Sequence, residues 1–346
     1  MLPLDLVYSV TDYCSIREVY SLCLLNQYFH RSTTPVLYGH VNLINTRSIT
    51  LFCQTVASGC PTLRHSTKSL TLRSPWGDIK EIDALVAKSI RIALHLLPNL
   101  EDLTLSLAAA PFNAIFQESE FPFRLRRFSG PLYASDGLAR FLENQTLVEQ
   151  LSISHTPRGF ALQAVDPGAF PGLQYISAGF QTLQSLVPSR PLVRINCTAL
   201  SSSEFVEFGK LLSRSCAPVR SLEVVLLRSR KEIVKTVQLF IDSIPTVYRT
   251  LEDLHVTLSF PLDFISTHNS IRARLKCYSS SQEFEELRLA LSNFSKLQTF
   301  TLSHERCNND LTPEFCHSVT ELSQLDVWKA SSPSLVSMSL FGVAPA

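Results

Sequence analysis

Residues 97–107 read LPNLEDLTLSL, and this stretch decides the fold. Leu100, Leu103 and Leu105 stand at i, i+3 and i+5, and Thr104 and Ser106 alternate with them. The second half has the period of two that a strand with one buried face requires. Pro98 disfavours helix at the residue before it, so whatever precedes ends there. Asp78–Leu97 has a helical pattern, with Asp78 and Glu81 placed as a capping box. One helix feeding one short strand cannot bury its apolar face alone, and its recurrence predicts a solenoid.

The L-x-x-L-x-L arrangement recurs about ten times. Its middle residues, the anchors, are Leu70, Leu103, Phe128, Leu151, Ile176, Ile195, Leu222, Leu254, Phe300 and Met338. Leu251–Val256, LEDLHV, nearly repeats the LEDLTL of Leu100–Leu105. The anchors step by 19 to 46 residues, against roughly 20–29 for a leucine-rich repeat. The middle steps fit, and the outer ones leave room for full helices or insertions. Helices are expected over Ser48–Cys60, Asp136–Gln145, Arg230–Ile244, from Ser201 with Glu204, from Ser280 with Glu283, and from Thr312-Pro313 toward Trp328. The step from Ile176 to Ile195 contains Pro188 and Pro191 and predicts only a loop or a 3₁₀ turn. Thr156–Gly172 reads as irregular, and the stretch between Leu258 and Ser281 as a surface loop.

The chain of 346 residues is 45% hydrophobic and 18% charged, so it can fold. It is long for one ordinary core, but a repeat array escapes that limit because each step packs only on its neighbours. The 31 basic and 30 acidic residues leave a net charge of +1. That gives no general attraction to nucleic acid or to an anionic membrane, and neither is expected as a partner. No stretch of 18 apolar residues occurs, and MLPLDLVYSV lacks the basic start of a secretory signal. Nine cysteines, an odd number without C-x-x-C spacing, suggest free thiols in a reducing cytoplasmic or nuclear setting. The sequons at Asn144, Asn196 and Asn293 then read as chance.

Chemistry-bearing motifs are missing. There is no Gly-x-Ser-x-Gly elbow and no phosphate-cradling Gly-x-x-x-x-Gly-Lys. Cys307, Cys316 and His317 come nearest to a metal cluster, with the wrong spacing and no fourth ligand. No cofactor, metal or catalytic residue is expected, and the chain reads as a non-enzyme. Basic clusters at Arg124–Arg127, Arg228–Lys231 and Arg272–Lys276 read as solvated charge.

If the strands stack in parallel, the residues between the buried ones face an open, concave surface. The candidates for recognition there are Thr104, Ser106, Arg127, Ser152, Tyr175, Arg194, Asn196, Glu223, His255, Thr257 and Thr301. Such faces commonly bind other proteins.

Residues 1–43 differ from the rest. Leu6, Val7 and Val10 share one face at helical spacing. Ser15 with Glu18 opens a second helix that carries Val19, Leu22, Cys23 and Leu25. A third begins near Tyr28 and is expected to stop at Pro35. The apolar run after Leu2-Pro3, then Val19, Ser21-Leu22-Cys23, Phe29 and the exit Pro35-Val36-Leu37-Tyr38, resembles an F-box. Followed by irregular leucine-rich repeats, it resembles the F-box proteins abundant in fungi. The resemblance implies docking on a Skp-type adaptor of a cullin ubiquitin ligase through Leu2, Pro3, Leu6, Val7, Val10, Leu22 and Leu25. The repeats would then bind a protein substrate.

The expected architecture is therefore α/β: a helical F-box-like module over 1–43 and a curved leucine-rich-repeat solenoid over 44–346, with parallel strands on the concave face. Two rival readings remain. The helices could simply cap the first repeat of a scaffold that recruits no ligase. A hydrolase on an unfamiliar fold would need a deep pocket with convergent polar groups.

Overall fold

The computed structural model describes residues 4–11, 13–59, 61–73, 84–107, 112–117, 120–131, 136–154, 166, 168–227, 233–259, 281–304 and 325–340. The chain divides into two compact units, Met1–Gly172 and Leu173–Ala346. Each is α/β, with parallel strands in chain order and helices between them.

The first unit opens with α1 (Leu4–Thr11), α2 (Ile16–Leu25) and α3 (Gln27–Leu37). The start of α2 is the expected capping box: the Ser15 N–H donates to Glu18 Oε2 at 2.6 Å. Hydrogen bonds from Ser15 hold the Glu18 carboxyl below its usual range. Helix α3 does not stop at Pro35 but runs two residues further, to Leu37. Pro35 sits near the helix end and removes only one backbone donor. On the turn before it, Ser32 Oγ donates to the Tyr28 carbonyl at 2.9 Å and Thr33 Oγ1 to that of Phe29 at 2.7 Å. The Tyr38 N–H then closes the helix on the Thr34 carbonyl at 3.0 Å.

Strands β1 (His40–Leu43), β2 (Ser69–Arg73), β3 (Asp102–Ser106), β4 (Arg127–Pro131) and β5 (Gln150–Ser154) pair in parallel. Between them lie α4 (Thr46–Ala57), α5 (Pro61–Ser66), α6 (Ala84–His95), α7 (Phe112–Ile115) and α8 (Asp136–Glu143). Val41, Leu70, Leu103, Phe128 and Leu151 form one row across the five strands, and all are buried. Below the last strands the core turns aromatic: Phe116 stacks on Phe141 at 4.6 Å, and Phe121 meets Phe141 edge-on at 5.3 Å.

The second unit runs β6 (Tyr175–Ala178), α9 (Phe180–Leu186), β7 (Arg194–Ser201), α10 (Phe205–Leu212), β8 (Ser221–Leu227), α11 (Ile233–Asp242), β9 (Asp253–Ser259), α12 (Ser281–Leu291), β10 (Thr299–His304), α13 (Leu325–Lys329) and β11 (Ser337–Leu340). Its buried row is Ile176, Ile195, Leu222, Leu254, Phe300 and Met338. All ten anchors of the sequence pattern thus stand at the second position of a strand.

One hydrogen-bond device fixes this register. The carbonyl just before a strand accepts two successive N–H groups from the next step. Lys68 O takes Glu101 and Asp102, and Glu101 O takes Arg126 and Arg127. In the second unit Arg220 O takes Glu252 and Asp253, and Glu252 O takes Gln298 and Thr299. The forked acceptor falls at the same place in each step, so the leucines behind it align whatever the length of the intervening loop.

Three more helices differ from expectation. Helix α9 occupies the step thought too short for one. Gly179 caps it immediately after the strand, and Leu183 and Leu186 are buried beneath it. Helix α4 starts at Thr46 rather than Ser48, because Asn45 Oδ1 takes the Ser48 N–H at 2.8 Å. The Ser201–Glu204 box forms, with the Ser201 N–H on Glu204 Oε2 at 2.8 Å, but opens a 3₁₀ turn before α10. Asp78 and Glu81, residues 156–165 and 167 of the Thr156–Gly172 run, most of the stretch between Leu258 and Ser281, Thr312-Pro313, Cys307, Cys316, His317, Arg228–Lys231 and Arg272–Lys276 lie outside the described residues. Among the described residues, no helix is long and apolar enough to cross a membrane.

Candidate functional site

Burial alternates along β8, β9, β10 and β11, and along the first half of β7. In β9, Leu254, Val256 and Leu258 are buried, while His255, Thr257 and Ser259 are partly exposed. The open-side residues align in rows. One row is Tyr175, Arg194, Ser221, Asp253, Thr299; the next is Ser177, Asn196, Glu223, His255, Thr301. Apart from the buried Ser177, these two rows line a groove of about 330 Å³.

Its polar groups come from different strands. The Arg194 guanidinium lies over the Tyr175 ring at 5.7 Å. His255 is held from both sides. Its Nε2 is 3.0 Å from Ser303 Oγ and 3.3 Å from Thr257 Oγ1, and its Nδ1 is 3.9 Å from Glu223 Oε1. Asn196 Oδ1 is buried and, among the described residues, has no hydrogen-bond partner. A base beside a hydroxyl is one part of a nucleophilic site. Acyl transfer also needs free N–H donors for the developing oxyanion. On these strands the backbone N–H groups are engaged in the parallel ladder. The groove is suited to recognising charge and hydrogen-bond donors.

The sequence-derived residues fall into separate groups. Tyr175, Arg194, Asn196, Glu223, His255 and Thr301 meet in the groove, and Thr257 adjoins it through His255. Thr104, Ser106, Arg127 and Ser152 lie on the strands of the first unit. There Arg127 is engaged: its Nε and Nη2 reach Asp102 Oδ1 and Oδ2 at 2.6 and 2.5 Å, which raises the guanidinium pKa further. Arg126 pairs with Glu149 at 3.0 Å. The Arg124–Arg127 cluster is thus largely neutralised by its neighbours.

Sequence reasoning passed over Ser221, Asp253 and Thr299. Each is the first residue of its strand, and the period of two, carried back one step from Glu223, His255 or Thr301, would have found them.

On the N-terminal helices, Leu6 and Val10 are exposed one turn apart, at 51% and 56%. Leu25 is exposed and Leu22 half-buried. Val7 turns inward instead: it is buried, as are Val19 and Cys23 of α2, so it serves the core. Leu2 and Pro3 lie outside the described residues. Ile16, Tyr20 and Leu24, absent from the sequence-based set, are also exposed.

Compared with known proteins, the chain matches no family model and no curated protein.

Proposed function

We propose that the chain is a substrate-recognition adaptor of a cullin-type ubiquitin ligase. Its F-box-like helices α1–α3 dock on a Skp-type adaptor, and its leucine-rich-repeat strand faces bind a protein substrate. The observation that carries this reading is the distribution of exposed apolar side chains. Of the seventeen large hydrophobic residues exposed among the described residues, seven fall within residues 6–25. Leu6, Val10, Tyr13, Ile16, Tyr20, Leu24 and Leu25 are more surface than so small a helical segment can leave in water without a partner. The chain itself performs no chemistry in this reading. It raises the effective concentration of substrate lysines near a charged conjugating enzyme, in the cytoplasm or nucleus.

One observation favours a second reading, a scaffold whose helices only cap the strands. Helix α3 packs on β1 and α5, and its Thr33 is fully buried. Co-elution of the purified chain with a Skp-type adaptor separates the two. The ligase reading expects a complex that Leu6→Asp with Val10→Asp abolishes. A wild-type chain that elutes alone favours the cap.

A further inference from the structure

The groove of the second unit holds two carboxylates, Glu223 and Asp253, on adjacent strands and on the same face. Among the described residues, no lysine or arginine stands within ion-pair distance of either; Glu223 has only His255, at 3.9 Å. The nearest cation in the groove, Arg194, is drawn to the Tyr175 ring instead. Ser221 lies between Arg194 and Asp253 in their row. Its small side chain leaves the space two strands wide, roughly 10 Å at ordinary strand spacing.

Two carboxylates without a lysine or arginine partner, on one face of the groove, call for a ligand that carries positive charge and N–H donors. We infer that the groove receives a lysine or arginine side chain from the bound segment of the partner protein, seated between Glu223 and Asp253. This rests on the substrate-binding half of the function above and is independent of adaptor docking. A metal ion fits less well, because among the described residues no three His, Cys, Asp or Glu come together as a ligand set. An acidic segment would meet two unpaired carboxylates and a single guanidinium.

The test uses the full chain and a displayed library of randomised heptapeptides, selected on the wild type and on Glu223→Gln with Asp253→Asn. Both substitutions are isosteric and solvent-facing, so folding is kept and is checked by thermal unfolding. Lysine and arginine should be enriched on the wild type over the variant. The best wild-type peptide should bind the variant about tenfold more weakly, as expected for losing two partly exposed charge contacts. Equal selection on wild type and variant, or enrichment of aspartate and glutamate, overturns the inference. Loss of adaptor docking alone leaves these outcomes unchanged, so the two proposals fail separately.

Discussion

Gly209 shows how closely the backbones approach. A Cβ placed there would stand 1.8 Å from the carbonyl oxygen of Ser243, which belongs to the chain leaving α11. No side chain can yield, because the obstacle is backbone. Gly209→Ala should therefore destabilise the protein by about 3 kcal/mol, at the upper end for overpacking, read as a lower midpoint in urea unfolding. Two cysteines are equally determined by their surroundings. Burial pushes the thiols of Cys53 and Cys197 up to about 12. They stay protonated and unreactive in the fold, whereas exposed Cys216 is open to reagent. Iodoacetamide at about pH 8 should label Cys216 in the native protein and Cys53 and Cys197 only after unfolding. The linkage has a definite sign. A raised thiol pKa means that the folded state holds protons the unfolded chain gives up. Its stabilisation is complete below the ordinary thiol value of 9.0 and is lost as pH climbs toward about 12.

At the scale of elements, the starts of helices were more legible than their ends or their existence. The Ser15–Glu18 and Ser201–Glu204 boxes form because the residues that cap are local in sequence. Helix α9 was hidden because its stability is not local. Pro188 and Pro191 argued for a loop, but the helix ends before them and is closed from beyond by Arg190. That side chain is 2% exposed, and its Nη1 donates to the carbonyls of Leu186 at 2.9 Å and Pro188 at 3.3 Å. A cation at a helix C-terminus also meets the negative end of the macrodipole. Arg190→Met keeps much of the volume but strands those carbonyls, and should cost roughly 2–3 kcal/mol in chemical denaturation. Helix α3 runs past Pro35 because only the donor to the Arg31 carbonyl is lost there, and the Tyr38 N–H closes the helix beyond it on the Thr34 carbonyl. The split of α1 into buried Val7 and exposed Leu6 and Val10 was not legible either. An apolar stripe in sequence does not say which part of it meets the core.

Across the whole chain, the strand rows were the most readable feature. Ten anchors spaced unevenly in sequence become two even rows in the structure, because each step closes on the carbonyl of the one before it. The helices between the strands vary without disturbing that register. The polar rows were half legible. Glu223 and His255 were found as alternating residues, while Asp253 was overlooked between Glu252 and Leu254, although Tyr175 and Arg194, at the same first position of their strands, were found. How Leu6 and Val10 function belongs to this scale too. Two half-exposed apolar side chains, covered by a partner and then replaced by charge, should change affinity by roughly 3 kcal/mol or more, over a hundredfold.

The most direct measurement is a titration of a Skp-type adaptor into the full chain, followed by calorimetry, with wild type and Leu6→Asp/Val10→Asp compared at equal thermal stability. The account predicts one-to-one saturation by the wild type, with a negative heat-capacity change from apolar burial, and its loss in the variant. No binding by the wild type, or equal binding by a folded variant, would contradict it.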